Sequence, residues 1–293
     1  MEIKHNRHVK WIDITKPTEK DLAWLKEEFS LHPVIIDELR EPSTRARVER
    51  YKDYLYFIYY FPLYDTKYES SVRSEIDFVV TKNTIVTVHY EPLDEPLKGM
   101  EIHDEKGSVE LLYRLVEHLI IFEERQLRHI REKVEKIGED IFNGKEKELL
   151  ERITYLKRDI SEYRISVKMP EPILRSLLVK GSDFWGKGSE VYINDLIGEQ
   201  LKLANQIQDY RETISDFEDA NDQLMNQKLN SVMKTFTLLS FLTLPFVLVA
   251  ALFSMRVQGT PFTDVPGGFW IVLGIMVVGM AMMFAVFKKR KWF

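Results

Sequence analysis

Two long runs of apolar residues lie near the end of the chain. They cover residues 235–255 and 267–287, and neither contains a charged side chain. Each run has about the 20 residues that a helix needs to cross the hydrocarbon core of a bilayer. Elsewhere the chain is polar, and charged residues make up 30% of the whole sequence. The pattern predicts a large water-exposed body carried on a hairpin of two membrane-spanning helices.

Basic residues flank this hairpin on the sides away from its connecting loop. They are Lys228 and Lys234 before the first run, and Lys288, Lys289, Arg290 and Lys291 after the second. Lys and Arg near the ends of a span favour the cytoplasmic side, and the N-terminal residues lack the apolar segment of a signal peptide. We therefore expect a multi-pass protein of the cytoplasmic (inner) membrane, in contact with lipid, with both termini in the cytosol.

The first 107 residues alternate between short apolar and polar stretches, as in a mixed α/β domain. Residues 54–61 are rich in aromatic side chains, which is typical of a strand. Residues 76–80 and 84–88 flank a turn-like segment and predict a β-hairpin. Short helices are expected at 19–29 and 34–39. The proline-containing, charged segment 91–107 is interpreted as a linker.

From residue 108 onward the spacing of apolar residues is helical. Helices are predicted at 108–141 and 146–169, and a third begins near Ser189 with no proline before Pro245. A continuous helix over 189–255 would be about 100 Å long. Such a rod is expected to be a stalk that packs against copies of itself. The predicted fold class is α+β, with a cytosolic α/β domain (1–107), a helical domain and stalk (108–234) and a transmembrane hairpin with a basic tail (235–293).

Several kinds of chemistry are disfavoured by the sequence. Residues 181–188 have the spacing of a phosphate-binding loop, but Gly188 replaces the required Ser or Thr and no strand precedes them, so no nucleotide is expected. The chain has no cysteine, which excludes disulfides and thiolate zinc sites, and the acidic excess of residues 1–233 disfavours nucleic acid. Along a helix, His118 and His129 would be about 16 Å apart, too far to share a metal ion. Because no catalytic arrangement is apparent, an enzyme is not expected.

The long helix carries a polar stripe at alternating spacings of four and three, which keeps one face turned toward a common axis in a parallel bundle. Carboxylate and amide oxygens begin the stripe, and hydroxyls and small or aliphatic groups continue it through the apolar run. Polar groups on an inward face in lipid usually line water or an ion route, and oxygen ligands suit hard cations such as Mg²⁺. A polar-seamed stalk that does not conduct is the alternative. The stripe consists of Asp219, Gln223, Asn226, Asn230, Met233, Thr237, Ser240, Leu244, Val247, Ala251 and Ser254.

The chain resembles the CorA family of two-span metal-ion transporters over nearly its whole length. The matching segments are 11–15, 32–33 with 36–38, 51–61, 230–234, Pro245 and 288–293. The resemblance implies a homopentamer with a cytosolic funnel, in which five first spans line a pore for Mg²⁺, Co²⁺ or a related divalent cation such as Ni²⁺. It also implies that Asp195 helps to hold a regulatory Mg²⁺ between subunits. We assign its partner carboxylate to Asp94 in the acidic linker.

The expected pore mouth differs from the family pattern. Ser254, Met255 and Arg256 stand where the family has Gly-Met-Asn. Asparagine offers an acceptor oxygen to a metal-bound water, whereas arginine offers only donors and a permanent charge. The favoured interpretation is a passive divalent-cation channel or transporter gated by intracellular metal. The alternatives are a transporter of Zn²⁺ or another ion, and a non-conducting metal sensor or scaffold.

Overall fold

The computed structural model describes residues 1–43, 45–65, 70–91, 96–97, 99–143, 146–255, 261–262 and 266–290. The chain forms two compact units, Met1–Asn221 and Asp222–Phe293. The first unit contains a β-sheet with helices on both of its faces, and the second contains two long apolar helices. The three-part division made from composition remains a prediction.

The first unit is built on a six-stranded mixed sheet in the order β1-β2-β6-β5-β4-β3. Neighbouring strands are antiparallel except β2 and β6, which are parallel. The predicted strand segments fall in β4, β5 and β6, and the predicted hairpin joins β5 to β6. Three further strands were not predicted. The strands are β1 (Glu2–His5), β2 (Lys10–Thr15), β3 (Val48–Arg50), β4 (Leu55–Asp65), β5 (Ser70–Val80) and β6 (Thr84–His89).

One face of the sheet is covered by two short helices, α1 (Glu19–Phe29) and α2 (Pro33–Glu38), as the sequence predicts. Thr18 fixes the start of α1, because its hydroxyl accepts a hydrogen bond from the Asp21 backbone N–H while the Asp21 carboxylate accepts one from the Thr18 backbone. The core on this face is apolar and closely packed. Its fully buried members include Ile12, Leu25, Ile35, Ile58 and Val86.

The other face of the sheet is covered by α3 (Ser108–Asp140), α4 (Glu146–Lys168) and α5 (Pro170–Trp185). On this face, Phe57 of β4 stacks on Phe78 of β5 with ring centroids 4.7 Å apart. Pro170 occupies the first turn of α5, where its missing N–H costs no helical hydrogen bond. Residues 181–188 form the end of α5 and a short 3₁₀ turn. The element before this segment is therefore the helix α5. A phosphate-binding loop requires a strand at that place.

The long helix predicted from Ser189 is present as α6 (Glu190–Ser254), and the second apolar run forms α7 (Gly268–Lys289). In the first unit α6 buries Ile193, Leu203 and Ile214. Both α6 and α7 are long and apolar enough to cross a membrane. In the second unit, the stretch of α6 around Phe246 packs against α7.

Candidate functional site

The contact between α6 and α7 shows which side of α6 is left uncovered in the second unit. Within the apolar run of α6, residues 235–254, the buried and half-buried positions are Leu238, Leu242, Phe246, Val249 and Phe253. Phe246 faces Gly279 of α7, where an added Cβ would lie 3.6 Å from its ring. An apolar cavity between the two helices is lined by Phe246, Val249 and Phe253 of α6 and by Val272 and Met276 of α7. One side of α6 therefore packs against α7 of the same chain.

The predicted stripe lies on the opposite side of α6. Ser240, Leu244, Val247 and Ala251 are each two positions from a residue of the α7-facing side, which is a rotation of about 200° around an α-helix. All eleven residues of the stripe are exposed in the single chain. This face of α6 is not covered by α7. The inward orientation of the stripe remains a prediction.

The hydroxyl of Thr237 is oriented by the helix itself. Its Oγ1 donates to the Met233 carbonyl oxygen at 2.8 Å, so the only hydroxyl hydrogen is used and the oxygen keeps lone pairs for a further donor. Water bound to a cation is such a donor. Ser254 and Met255 are exposed at the end of α6. Arg256 lies outside the described residues.

A second cluster of oxygen-bearing side chains lies where α3 and the first turns of α6 meet. The Tyr113 hydroxyl donates to Asp195 Oδ2 at 2.8 Å and lies 3.1 Å from Glu117 Oε1. The ring of Tyr113 packs on that of Tyr192 with centroids 5.5 Å apart, and the Tyr192 hydroxyl lies 3.4 Å from a carboxylate oxygen of Glu110. Burial, followed by the hydrogen bond to Asp195, raises the pKa of Tyr113. Tyr113 is therefore a neutral donor at physiological pH.

This second cluster, called the Asp195 cluster below, has carboxylate oxygens of the kind that bind divalent cations, but too few of them are grouped together to hold an ion. Asp195 is exposed, and carboxylate oxygens are the ligands that Mg²⁺ prefers. Within the described ranges, no group of three or more His, Asp or Glu side chains of one chain is arranged to hold a metal ion. Asp94, the expected partner of Asp195, lies outside the described residues. The metal site formed by Asp195 and Asp94 remains a prediction.

The structure also contains two buried carboxyl groups on β5 that the sequence reasoning missed. Asp77 is fully buried and accepts hydrogen bonds from the hydroxyls of Tyr56 at 2.6 Å and Tyr90 at 3.2 Å. Burial raises the pKa of Asp77 well above its ordinary value and raises that of Glu75 to about 7. The sequence carried a signal for these two groups. Glu75 and Asp77 occupy alternate positions of a strand, and the residues beside them, Ile76 and Phe78, are apolar.

Comparison with known proteins gives consistent results over nearly the full chain. The family model described as "CorA-like Mg2+ transporter protein" matches residues 6–289. The cobalt/magnesium transport protein CorA of Thermotoga maritima is 24% identical over 96% of this chain and 83% of its own length. The corresponding protein of Methanocaldococcus jannaschii is 23% identical over 96% of this chain and 90% of its own.

The solved structure of the CorA magnesium transporter from Methanocaldococcus jannaschii has the same fold. It superimposes with a TM-score of 0.84 at 23% sequence identity, covering 100% of this chain and 94% of that one. This likeness includes the sheet, the long helices and the two C-terminal apolar helices. The family model and this fold together confirm the resemblance inferred from the motifs, and the chain belongs to the CorA-like Mg²⁺ transporter family.

Proposed function

We propose that the chain assembles as a homopentamer in the cytoplasmic membrane and conducts divalent cations passively through a pore lined by five copies of α6. Mg²⁺ is the favoured cargo, with Co²⁺ and Ni²⁺ as related ions, and both termini lie in the cytosol. The observation that supports this proposal most directly is that the stripe is exposed and lies about 200° around α6 from the side packed on α7. A single span cannot enclose water, so the stripe gains a role only when several copies face one axis.

The proposed pore offers acceptors to a hydrated cation. Mg²⁺ gives up its water reluctantly and is commonly held through it. The side chains of Asp219, Gln223 and Asn226 present acceptor oxygens to the hydrogens of that water. Movement needs no chemical energy source, because a membrane potential of about 100 mV drives a double charge inward with about 4.6 kcal/mol.

Apolar side chains interrupt the polar stripe and provide a gate. Met233, Leu244 and Val247 are exposed on the same face as the hydroxyls. In a pentamer each would form a ring of five apolar groups, and a narrow apolar ring stops ions by excluding water. The hydrated ion would then pass only when the helices separate.

The Asp195 cluster supplies the regulation in this proposal. A Mg²⁺ ion held by Asp195 of one subunit and Asp94 of the neighbouring subunit would join carboxylates that otherwise repel. High intracellular Mg²⁺ would therefore hold the cytosolic units together and the pore closed. Loss of the ion would allow the acidic units to move apart.

A second candidate function follows from Arg256. Five guanidinium groups about 8 Å from a divalent ion would repel it by about 5 kcal/mol at the dielectric constant of water, before screening by salt. This repulsion is comparable to the driving force of the membrane potential. The altered mouth therefore favours, as alternatives, transport of Zn²⁺ or another ion, or a metal-sensing or scaffolding protein that does not conduct.

The proposal is tested with the full-length protein in liposomes that contain a Mg²⁺-sensitive dye. With an inside-negative potential imposed, external Mg²⁺ should enter faster than into protein-free vesicles, and the rate should rise with the potential. Parallel assays with Co²⁺, Ni²⁺ and Zn²⁺ establish selectivity. Absence of flux for every ion, with the protein correctly inserted, would favour the sensor or scaffold.

The oligomeric state is measured separately, in detergent. The expected mass of the protein component is about five times the 34.7 kDa of one chain. A stable monomer or dimer would contradict the proposed pore, because it could not enclose a water-filled path.

A further inference from the structure

A closed set of buried polar groups joins α6 to the rest of the first unit. Its centre is Glu123 of α3, whose side chain is fully buried. It meets Tyr59 from β4 and Gln200 from α6, both fully buried. Neither the polar stripe nor the Asp195 cluster uses these three residues.

The distances define a ring of hydrogen bonds. Tyr59 Oη lies 3.1 Å from Glu123 Oε1 and 3.1 Å from Gln200 Oε1. Gln200 Nε2 donates to Glu123 Oε2 at 3.0 Å and to the Val167 carbonyl oxygen at 2.9 Å. Both amide hydrogens of Gln200 are therefore used.

The number of hydrogens in this ring depends on the protonation of Glu123. The Tyr59 hydroxyl has one hydrogen and cannot give it fully to two acceptors. With an ionised Glu123, either its Oε1 or the Gln200 Oε1 is left without a full hydrogen bond, and the charge is buried. With a proton on Glu123 Oε1, that proton goes to Tyr59 Oη, the Tyr59 hydrogen goes to Gln200 Oε1, and every acceptor is satisfied.

We propose that Glu123 is a proton-controlled latch: its protonated carboxyl closes the hydrogen-bond ring that holds α6 against β4 and α3, and loss of the proton loosens α6. The ligand of this latch is the proton that the Glu123 carboxyl binds, so the pH of the cytosol controls it. A rise in pH through the range in which the carboxyl titrates weakens it, and a fall in pH strengthens it.

The surroundings of Glu123 support the protonated form. Among the described residues, the titratable groups that face it are Tyr59 of β4 and Tyr163 of α4, and Tyr163 donates its hydroxyl hydrogen to the Glu123 backbone carbonyl. From α6 it meets only the neutral amide of Gln200. Burial raises the pKa of Glu123 to about 8, against opposing hydrogen bonds from Gln200 and Tyr59.

The direction of the pH effect follows from proton linkage. Where α6 is detached and Glu123 is in water, the carboxyl ionises near its ordinary value of 4.5. Between that pH and about 8 the latched state keeps a proton that the open state has lost, so opening becomes about tenfold more favourable for each pH unit. The latch is complete below this window and fully weakened above it.

The consequence for conduction rests on the proposed function, because α6 also carries the stripe. If α6 lines a pore, an alkaline cytosol would loosen the helix that forms it. The latch itself concerns only the docking of α6 within the first unit and can be measured whether or not the protein conducts.

The test measures amide hydrogen exchange of α6 around Gln200 in the full-length protein between pH 6 and 8, as protection factors corrected for intrinsic exchange. Wild-type protection should fall by up to about 100-fold across this interval. Glu123→Gln should show almost no pH dependence, because the carboxamide can donate to Tyr59 and accept from Gln200 as the neutral carboxyl does. Glu124→Gln is the matched control, since it removes the same formal charge from an exposed neighbouring position of α3.

Infrared difference spectra at pH 7 supply a second readout. Wild type minus Glu123→Gln should show the carbonyl band of one protonated carboxyl, and this band should disappear above about pH 9. Absence of the band at neutral pH, or an unchanged pH profile in Glu123→Gln, would overturn the proposal. If Glu123→Gln does not fold, the wild-type exchange profile decides, and a flat profile between pH 6 and 8 overturns the proposal.

Discussion

The hydroxyl of Tyr113 offers a sharp test of the proposed metal site at Asp195, because Tyr113→Phe removes one oxygen and keeps the ring. In the structure this hydroxyl donates to Asp195 Oδ2 at 2.8 Å, which leaves Oδ1 of the same carboxylate for a metal ion. A partner that orients a ligand in this way stabilises metal binding without touching the metal. We therefore expect Tyr113→Phe to weaken the site and Asp195→Ala to abolish it.

The magnitude follows from the exposure of the pair. A hydrogen bond to a charged group contributes about 1.5–3 kcal/mol when it is sheltered. Asp195 is exposed, so water competes for its oxygens and about 1 kcal/mol is a better value. This energy corresponds to about a fivefold loss of apparent affinity for the ion.

The assay is a Mg²⁺ titration of resistance to limited proteolysis in the full-length protein. The concentration that gives half-maximal protection should rise about fivefold in Tyr113→Phe, with full protection still reached at high Mg²⁺. Tyr192→Phe is the matched control, because it removes an equivalent hydroxyl that contacts Glu110 rather than Asp195. Its midpoint should stay close to that of the wild type.

Two results would refute this reasoning. If Asp195→Ala keeps the protection of the wild type, the ion does not bind at Asp195. If Tyr113→Phe binds Mg²⁺ more tightly, the hydroxyl competes with the ion for the carboxylate instead of orienting it.

Two further predictions concern the proposed pore. Replacing Leu244 or Val247 by Ser should raise basal divalent-cation flux into liposomes, because a hydroxyl keeps the constriction wet; unchanged flux in both variants would indicate that the stripe does not line the path. Arg256→Asn should raise divalent-cation uptake severalfold if the guanidinium points into the mouth, since the change removes charge and restores an acceptor. If Arg256 instead turns outward to pair with Asp264, uptake should stay the same and only stability or lipid dependence should change. Loss of uptake in this variant would contradict both arrangements and would direct attention to an anionic or anion-accompanied substrate.

The parts of the fold that could be predicted from the sequence are those with a local signal. Helix α1 was predicted over its observed residues, and Thr18 and Asp21 supply the capping interaction at its start. Strand β2 was missed because its position depends on pairing with β6, more than 70 residues further along. Trp11 is buried on one face of β2 and Ile12 on the other, so β2 does not show the alternation of a half-exposed strand.

The same distinction explains which parts of the candidate site could be predicted from the sequence. The stripe follows from helical spacing alone, and the structure adds the independent fact that α7 covers the opposite side of α6. The donor to Asp195 could not be found in this way, because Tyr113 lies 82 positions earlier on another helix.

Protonation depends still more strongly on tertiary structure. Asp195 and Glu123 are both acids within helical segments, and nothing in their local sequence separates the exposed carboxylate of Asp195 from the buried carboxyl of Glu123. The difference appears only in the folded unit, where Tyr59 and Gln200 surround Glu123. There the one hydroxyl hydrogen of Tyr59 lies between two acceptor oxygens, and a proton on Glu123 supplies the missing hydrogen. A helix pattern can therefore locate the proposed ion path, but the proposed control of that path by protons depends on contacts between β4, α3 and α6.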